Sequence, residues 1–298
     1  MRIAITGASG FVGSALLQHL RAEGHTVATL ARSGPPTAGT FRWDPATGAV
    51  TPDLGPLDAF VHLAGESVAH RWTAARRRAI ADSRGPATER LCRTLAALPQ
   101  PPAVLVSASA IGVYGDRGDE ELDERSAAGN GFLADVARAW EAGTAPLHAV
   151  GTRVVNLRIG IVLDPRGGAL QRMLPPFRLG LGGPLGNGRQ WMSWITLHDL
   201  VRAITFCIGQ RELHGTVNAV GPAPVTNRDF THELGRALRR PAFLPVPAFA
   251  LRLLFGAMAD GVLLGSLRVL PRELRSAAFT FEHPTLDRAL GAMLTARR

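Results

Sequence analysis

The chain has 298 residues, 46% of them apolar and 19% charged, enough to bury a full core as one two-lobed unit or two closely joined domains. The formal net charge is +9 and all 33 basic residues are arginine. They are scattered, apart from Arg76-Arg77-Arg78, and alanine is abundant, so coding bias accounts for the charge and no nucleic-acid partner is expected.

The chain opens on an apolar strand, Ile3 to Thr6, that runs into Gly7-Ala8-Ser9-Gly10-Phe11-Val12-Gly13 and then a helical stretch from Ser14 to Leu20. A strand, a Gly-x-x-Gly-x-x-Gly turn and a helix together make a pyrophosphate cradle. Gly7 permits the tight turn, Gly10 lets backbone approach phosphate oxygens, and Gly13 lets the helix pack on the strand. Ser9, Phe11 and Val12 complete the loop, whose free N–H groups and helix dipole face the anion. With the strand at the very start, no signal peptide is expected.

A second strand, His25–Ala31, is followed by Arg32-Ser33. Dinucleotide folds that prefer NAD carry an acid there, about twenty residues past the loop, to hold the ribose 2′-hydroxyl. Here the next acid is Asp44, and an arginine fork suits a 2′-phosphate. NADP(H) is therefore expected, with Arg32 and Ser33 at the phosphate; the alternative is an ordinary surface arginine. The strand Ala59–Leu63 ends in Leu63-Ala64-Gly65, small enough for backbone to approach adenine and ribose, or else a plain strand-end turn.

A helix is expected from Thr73 to Arg84 and on to Leu98, then a strand over Ala103–Ser107, a helix over Phe132–Leu147 and a strand over Thr152–Leu157. Near-continuous apolar strands alternating with helices predict an α/β, Rossmann-like, doubly wound parallel sheet. Arg158, at a strand's carboxyl end, is a candidate contact for an anionic substrate or for the cofactor phosphates. After it the texture turns glycine-rich, then a strand at Trp194-Ile195, a helix from Leu197 to Cys207 and a strand at Thr216–Val220 return to the sheet. Thr196 to Asp199 reads as a helix-start cap, as do Asn227 and Asp229 before a helix to Leu238. Trp191 and Trp194 either line a substrate pocket or are buried aromatics. Residues 1–158 and 194–220 are thus assigned to the nucleotide fold, and 159–193 and 221–298 to a smaller, mostly helical substrate lobe.

Ala248 to Leu267 is apolar, but Arg252, Asp260 and three glycines break it. A lobe-packing or dimer-contact helix is expected there rather than a membrane span, with a homodimer one arrangement. Cys92 and Cys207 lie far apart, which fits a reducing cytoplasm and no disulfide, and no Cys/His cluster offers a metal site.

Together these residues resemble an extended short-chain dehydrogenase/reductase, in its atypical epimerase-like branch. The resemblance runs collinearly through Thr6–Gly13, His62-Leu63-Ala64-Gly65, Arg71-Trp72, Ser83-Arg84, Ser107-Ala108-Ser109-Ala110, Val113-Tyr114-Gly115, Trp140-Glu141, Leu157-Arg158-Ile159-Gly160, Gly182–Gly186, Gln190–Ile195, Pro222–Asn227 and a tail at Phe279-Thr280-Phe281. It implies a Rossmann-like fold, an NADP-type cofactor and an unidentified small-molecule substrate. It also implies Ser107 beside the cofactor and Arg84 where relatives carry an asparagine near it.

The resemblance further implies a Ser or Thr and a Tyr-x-x-x-Lys pair, the tyrosine moving a proton and the lysine lowering its pKa. That pair is arithmetically impossible here: Tyr114 is the only tyrosine and there is no lysine. Counting back from Tyr114-Gly115 without a gap puts Ala110 at the hydroxyl position; Ser109 fits with one residue inserted. Substitute groups for proton transfer are Ser109 as a donor to substrate, Tyr114 if its ring is not merely packed, and Glu141 if it is not simply an arginine's partner. The expected function is an NADP(H)-dependent, epimerase-like oxidoreductase, or an NADP-binding regulatory or scaffold protein that has lost its chemistry.

Overall fold

The computed structural model describes residues 1–34, 39–51 and 53–295. In chain order the first half carries β1 (Arg2–Thr6), α1 (Phe11–Ala22), β2 (Thr26–Ala31), β3 (Thr40–Trp43), β4 (Val50–Thr51), β5 (Ala59–His62), α2 (Ala74–Asp82), α3 (Gly85–Ala96), β6 (Val104–Ala110), β7 (Glu121–Leu122), α4 (Phe132–Ala142), α5 (Ala145–Ala149) and β8 (Arg153–Ile159). The second half carries β9 (Ile161–Asp164), α6 (Gly168–Arg178), β10 (Trp191–Met192), β11 (Trp194–Thr196), α7 (Leu197–Gly209), β12 (Gly215–Ala219), β13 (Val225–Thr226), α8 (Asn227–Leu238), α9 (Ala248–Phe255), β14 (Arg268–Val269), α10 (Arg272–Ser276) and α11 (Leu286–Thr295).

Eight strands form the main sheet in the order β12-β8-β6-β5-β1-β2-β3-β4, all parallel except the edge strand β4. Alternate residues feed two separate cores. Ile3, Ile5, Val61, Val106, Val155 and Leu157 pack with Leu16 and Leu20 of α1 and Leu200, Val201 and Ile204 of α7. On the other face Ala4, Phe60, Leu105 and Val154 pack with Leu91 and Leu95 of α3 and Leu147 of α5. Each such Leu or Ile contributes about 1.5–3 kcal/mol of burial. One cysteine sits in each layer, Cys207 in the first and Cys92 in the second, and both are free thiols that burial pushes up to about 12. The strand order reverses at β1, so the crevice between the carboxyl ends of β1 and β5 is the switch point where such sheets bind ligands.

Several elements differ from the sequence reading. The long helix expected over 73–98 is two, α2 and α3, because the chain breaks at Arg84 (φ −107°, ψ −79°) and Pro86 then fills the first turn of α3. The helix over 132–147 likewise divides into α4 and α5, with Pro146 opening the second. Ala248–Leu267 is broken, as expected: α9 ends at Gly256 (φ 60°) and a π-helical turn spans Ala259–Leu263. The strand at 194–196 does not join the main sheet. It pairs in parallel with β9, through Trp194 and Ile161 to Thr196 and Leu163, while α7 behind it packs on α1.

The remaining segments build a third core from Leu163, Leu170, Leu174, Phe177, Met192, Trp194, Phe230, Leu234, Leu286 and Leu290. The C-terminal stretch also returns to the first half. Arg268-Val269 pairs with Glu121-Leu122, and the Arg71 guanidinium donates to Leu253 O at 3.1 Å. Among the described residues no helix is long and apolar enough to cross a membrane.

Candidate functional site

The glycine turn closes as its pattern requires. Gly10 N–H donates to Gly7 O (2.9 Å) and Ser14 N–H to Gly10 O (2.9 Å), so α1 starts directly on the loop. A Cβ on Gly7 (φ +71°) would lie 2.9 Å from the Leu63 carbonyl carbon, and one on Gly13 only 2.1 Å from Gly7 O. The tight packing of β1, α1 and the end of β5 therefore depends on both glycines. The first turn of α1 has no side-chain cap and no acid, which leaves its N–H groups for an anionic ligand.

Beside this turn lies a cavity of about 1080 Å³. Of the residues expected at a cofactor, Gly7, Ser9, Gly10, Arg32, Ser33, Leu63, Ala64 and Gly65 line it. So does Arg90 of α3, which no sequence signal singled out; its Nη1 donates to Pro45 O at 2.9 Å. Arg32 is exposed and has no carboxylate partner among the described residues. The acids nearby are otherwise engaged. Asp44 accepts from Ala46 N–H (2.8 Å) and the Thr47 hydroxyl (3.0 Å), and those bonds hold its carboxyl below the usual range. Glu66 is paired with Arg76 at 2.6 Å. A groove with glycine backbone at one end and two arginines at the other fits a phosphate-rich dinucleotide.

Five other expected cofactor contacts sit elsewhere, Gly13 in the packing of α1 on β1 described above. Phe11 packs on the backbone of Gly167 and Gly168, and Val12 lies against the core beneath the sheet. The Arg84 guanidinium lies behind Gly65, where a Cβ would approach its Cζ to 3.3 Å, and 4.8 Å over the Trp140 ring. Burial pushes Arg84 down to about 10, so it remains charged at neutral pH. Ser107 is fully buried, its hydroxyl on its neighbour's carbonyl, because it lies mid-strand under the helices. It does not line the groove, which corrects its expected side-chain contact with the cofactor.

The residues expected at the chemistry form one buried polar chain. The Ser109 hydroxyl donates to Glu141 Oε1 (2.8 Å), and Arg158 grips the same carboxylate through Nε (2.8 Å) and Nη2 (2.9 Å). Arg158 Nη1 donates to Tyr114 Oη (2.9 Å), and that hydroxyl donates to Asn218 Oδ1 (2.8 Å). The register explains the assembly: Ser109, Arg158 and Asn218 are lateral partners on β6, β8 and β12 and so share a face of the sheet. Burial opposes the Arg158 charge, but Glu141 and Tyr114 outweigh it and its pKa moves up. Burial pushes the Tyr114 phenol up.

This arrangement corrects several expectations. Tyr114 is fully buried and internally bonded, so it is the packed ring rather than the proton donor. Glu141 is an arginine's partner, with its side chain 14% exposed, and Arg158 commits three of its five N–H donors to Glu141 and Tyr114. Ser109 has committed its proton to Glu141, so toward a ligand it offers lone pairs only. Trp194 is buried in the third core, donating to Ala223 O at 3.1 Å, and does not line the groove. Trp191 donates to Asp119 Oδ1 (2.8 Å) under the Arg268 guanidinium, and likewise lies away from it.

Two polar groups were missed by sequence reasoning. His62 is buried between the Thr6 and Thr88 hydroxyls, at 2.7 and 2.9 Å, and burial pushes it down to about 4. Glu124 accepts from Asn218 N–H (2.9 Å) and from Arg272 and Glu273 N–H (both 3.2 Å), tying α10 to the end of the polar chain.

A doubly wound sheet with a glycine cradle at its switch point defines a Rossmann-type dinucleotide-binding protein. The sequence comparisons are more specific. Residues 3–221 match the NAD dependent epimerase/dehydratase family, and residues 246–293 match a domain of unknown function, DUF1731. The chain belongs to that epimerase/dehydratase family. It is 46% identical over 295 residues to the epimerase family protein Mb2239 of Mycobacterium bovis, covering 98% of this chain and 97% of the relative. Human epimerase family protein SDR39U1, in a crystal structure with NADPH, superposes with a TM-score of 0.92 at 35% identity, covering 99% of each chain. A nucleoside-diphosphate sugar epimerase from Corynebacterium glutamicum superposes with a TM-score of 0.80 at 35% identity, over 100% of this chain and 59% of that one.

Proposed function

We propose that this chain binds NADP(H) in the groove between Gly7 and Arg32 and acts as an oxidoreductase on a small carbonyl or alcohol. The observation that carries the reading is the groove itself: a glycine turn too tight for side chains, and Arg32, with no acid on it among the described residues. The human relative crystallised with NADPH supports it. The two buried thiols suit a reducing, cytoplasmic setting.

A bound nicotinamide supplies or accepts the hydride. The loop N–H groups of α1 hold the pyrophosphate, while Arg32 and Arg90 hold the 2′-phosphate. Ser109 stands on β6 two residues beyond the Ser107–His62 pairing, level with the Ala64 turn. There its lone pairs accept a hydrogen bond from the hydroxyl of an alcohol substrate, the acceptor role being fixed by Glu141; a carbonyl oxygen gains no donor from it. Glu141 and Arg158 are positioning residues, held in turn by Tyr114 and Asn218.

One observation favours the second reading, a cofactor-binding regulatory protein: every side chain expected to move a proton is engaged within the protein. NADPH oxidation over a panel of carbonyl substrates separates the two readings, and steady turnover excludes the second. For binding, thermal shift is expected with NADPH and much less with NADH. Arg32→Ala should weaken NADPH by about 10- to 100-fold, the loss of a charge-assisted contact, while NADH is unaffected. No shift with either nucleotide would sink the groove assignment.

A further inference from the structure

Among the described residues ten large apolar side chains are exposed, and all but Met1 and Val150 fall between residues 179 and 262. None of these eight lines the cofactor groove. They follow one another across the surface. Leu244 N–H donates to Gly182 O (3.1 Å) and Val246 N–H to Pro184 O (2.9 Å), so the loop carrying Leu179 and Leu181 runs beside the segment carrying Phe243 and Leu244. That segment leads through Pro247 into α9, whose Ala248 Cβ lies 3.8 Å from where a Cβ on Gly186 would stand.

α9 reads AFALRLLF, with Arg252 its only polar side chain. A helix that is apolar all round is normally covered on every side. Here one side is covered and the other is bare: Leu251 is buried, while Phe249 (71%), Leu253 (75%) and Leu254 (64%) stand exposed. Phe249 and Leu253, four residues apart, share one stripe. The helix is firmly held. The Arg71 guanidinium bonds Leu253 O from the first half of the chain, and the turn after α9 packs so closely that a Cβ on Gly261 would lie 2.6 Å from the Trp72 ring. The bare stripe is therefore a preformed surface.

We propose that this face joins two copies of the chain about a two-fold axis, with α9 packed on the α9 of the second copy. Area favours it. A large apolar side chain bares roughly 150 Å² when fully exposed, so at their observed exposures the eight offer on the order of 700 Å². That exceeds what a monomer usually leaves in one patch and is close to the ~800 Å² per partner of a stable interface. Charge favours a second copy over an anionic bilayer. Arg252 and Asp260 lie beside the stripe as an exposed ion pair, 2.9 Å apart. Two copies meeting there present both signs to each other, whereas anionic headgroups repel Asp260. The contact does not depend on the NADP(H) reading.

The test is sedimentation velocity of the full chain across the micromolar range, where a reversible dimer is expected. Leu253→Asp sets two carboxylates facing each other at the contact and should weaken the dimer about 100-fold, with near-ultraviolet circular dichroism unchanged because the residue is at the surface. Cys92 and Cys207 are both buried, so a cysteine placed at the surface reports cleanly. Leu253→Cys should be captured as a covalent dimer by a short thiol cross-linker, and Val150→Cys, exposed at the end of α5, should not. A monomer at every concentration overturns the proposal. So does a dimer that Leu253→Asp leaves intact, or equal capture of the two cysteine variants, since either puts the contact elsewhere. A chain that stays monomeric yet sediments with phosphatidylglycerol vesicles, and loses this in Leu253→Asp, assigns the face to a bilayer and overturns it too. NADPH affinity, measured on the same samples, reports separately on the cofactor groove.

Discussion

His62 sits inside the sheet between two hydroxyls and beside the edge of the Trp43 ring, with no carboxylate on it. Its folded pKa, about 4, lies below the ordinary 6.5, so between those values the unfolded chain binds more protons. Stability therefore rises with pH across that window and is lost as pH falls from 6.5 toward 4, by about 3 kcal/mol in all. Urea unfolding at pH 7 and pH 4.5 should show a lower midpoint at the acid pH, and a ring that titrates near 6.5 by NMR would contradict the assignment. Glu141 poses the opposite problem, a charge that needs its partner. Glu141→Gln leaves Arg158 nearly buried without a counter-charge and should cost about 3–5 kcal/mol, whereas Glu141→Gln with Arg158→Met should recover most of it. Thermal melts of both variants check this. The place of Arg32 at the groove was legible in the sequence because it depends on a local offset from a local motif. The bonds of Ser109 and Tyr114 were not, because their partners lie 32 residues away and 104 residues away and meet only once α4 packs over three laterally registered strands.

At the level of elements, helix starts are where sequence chemistry showed most directly. Thr196 caps α7 through Asp199 N–H, as its spacing suggested. For α8 the cap is Thr226, one residue earlier than expected, with Asp229 closing a capping box onto it. Thr226→Ala should lower stability by about 1 kcal/mol, readable as a drop in melting temperature. The glycine turn is less forgiving: Gly13→Val would place a side chain against Gly7 O and should unfold the α1 packing and abolish nucleotide binding together. Prolines 86 and 146 divided two helices that periodicity had joined, since an apolar stripe does not reveal a break that leaves both pieces on the same core. The short strands β3 and β4, at one end of the sheet, escaped notice for another reason: two to four residues are too few to show alternation.

For the whole molecule, the C-terminal stretch is structural as much as functional. Leu286, Ala289 and Leu290 of α11 complete the core around Phe230 and Leu234, Val269 pairs against Leu122, and α10 supplies two of the amides on Glu124. Removing residues 246–298 should expose that core and free Glu124, so the truncated chain should lose near-ultraviolet circular dichroism and cooperative melting. A truncated chain that melts like the full one would contradict this. The two cysteines bear on how such opening is followed. Cys92 and Cys207 lie on opposite faces of one sheet, each sealed under a different helical layer. Labelling with a thiol reagent under native conditions therefore clocks the α3 layer and the α7 layer separately. Equal rates would mean the protein opens all at once, and unequal rates would show which side of the sheet lets go first.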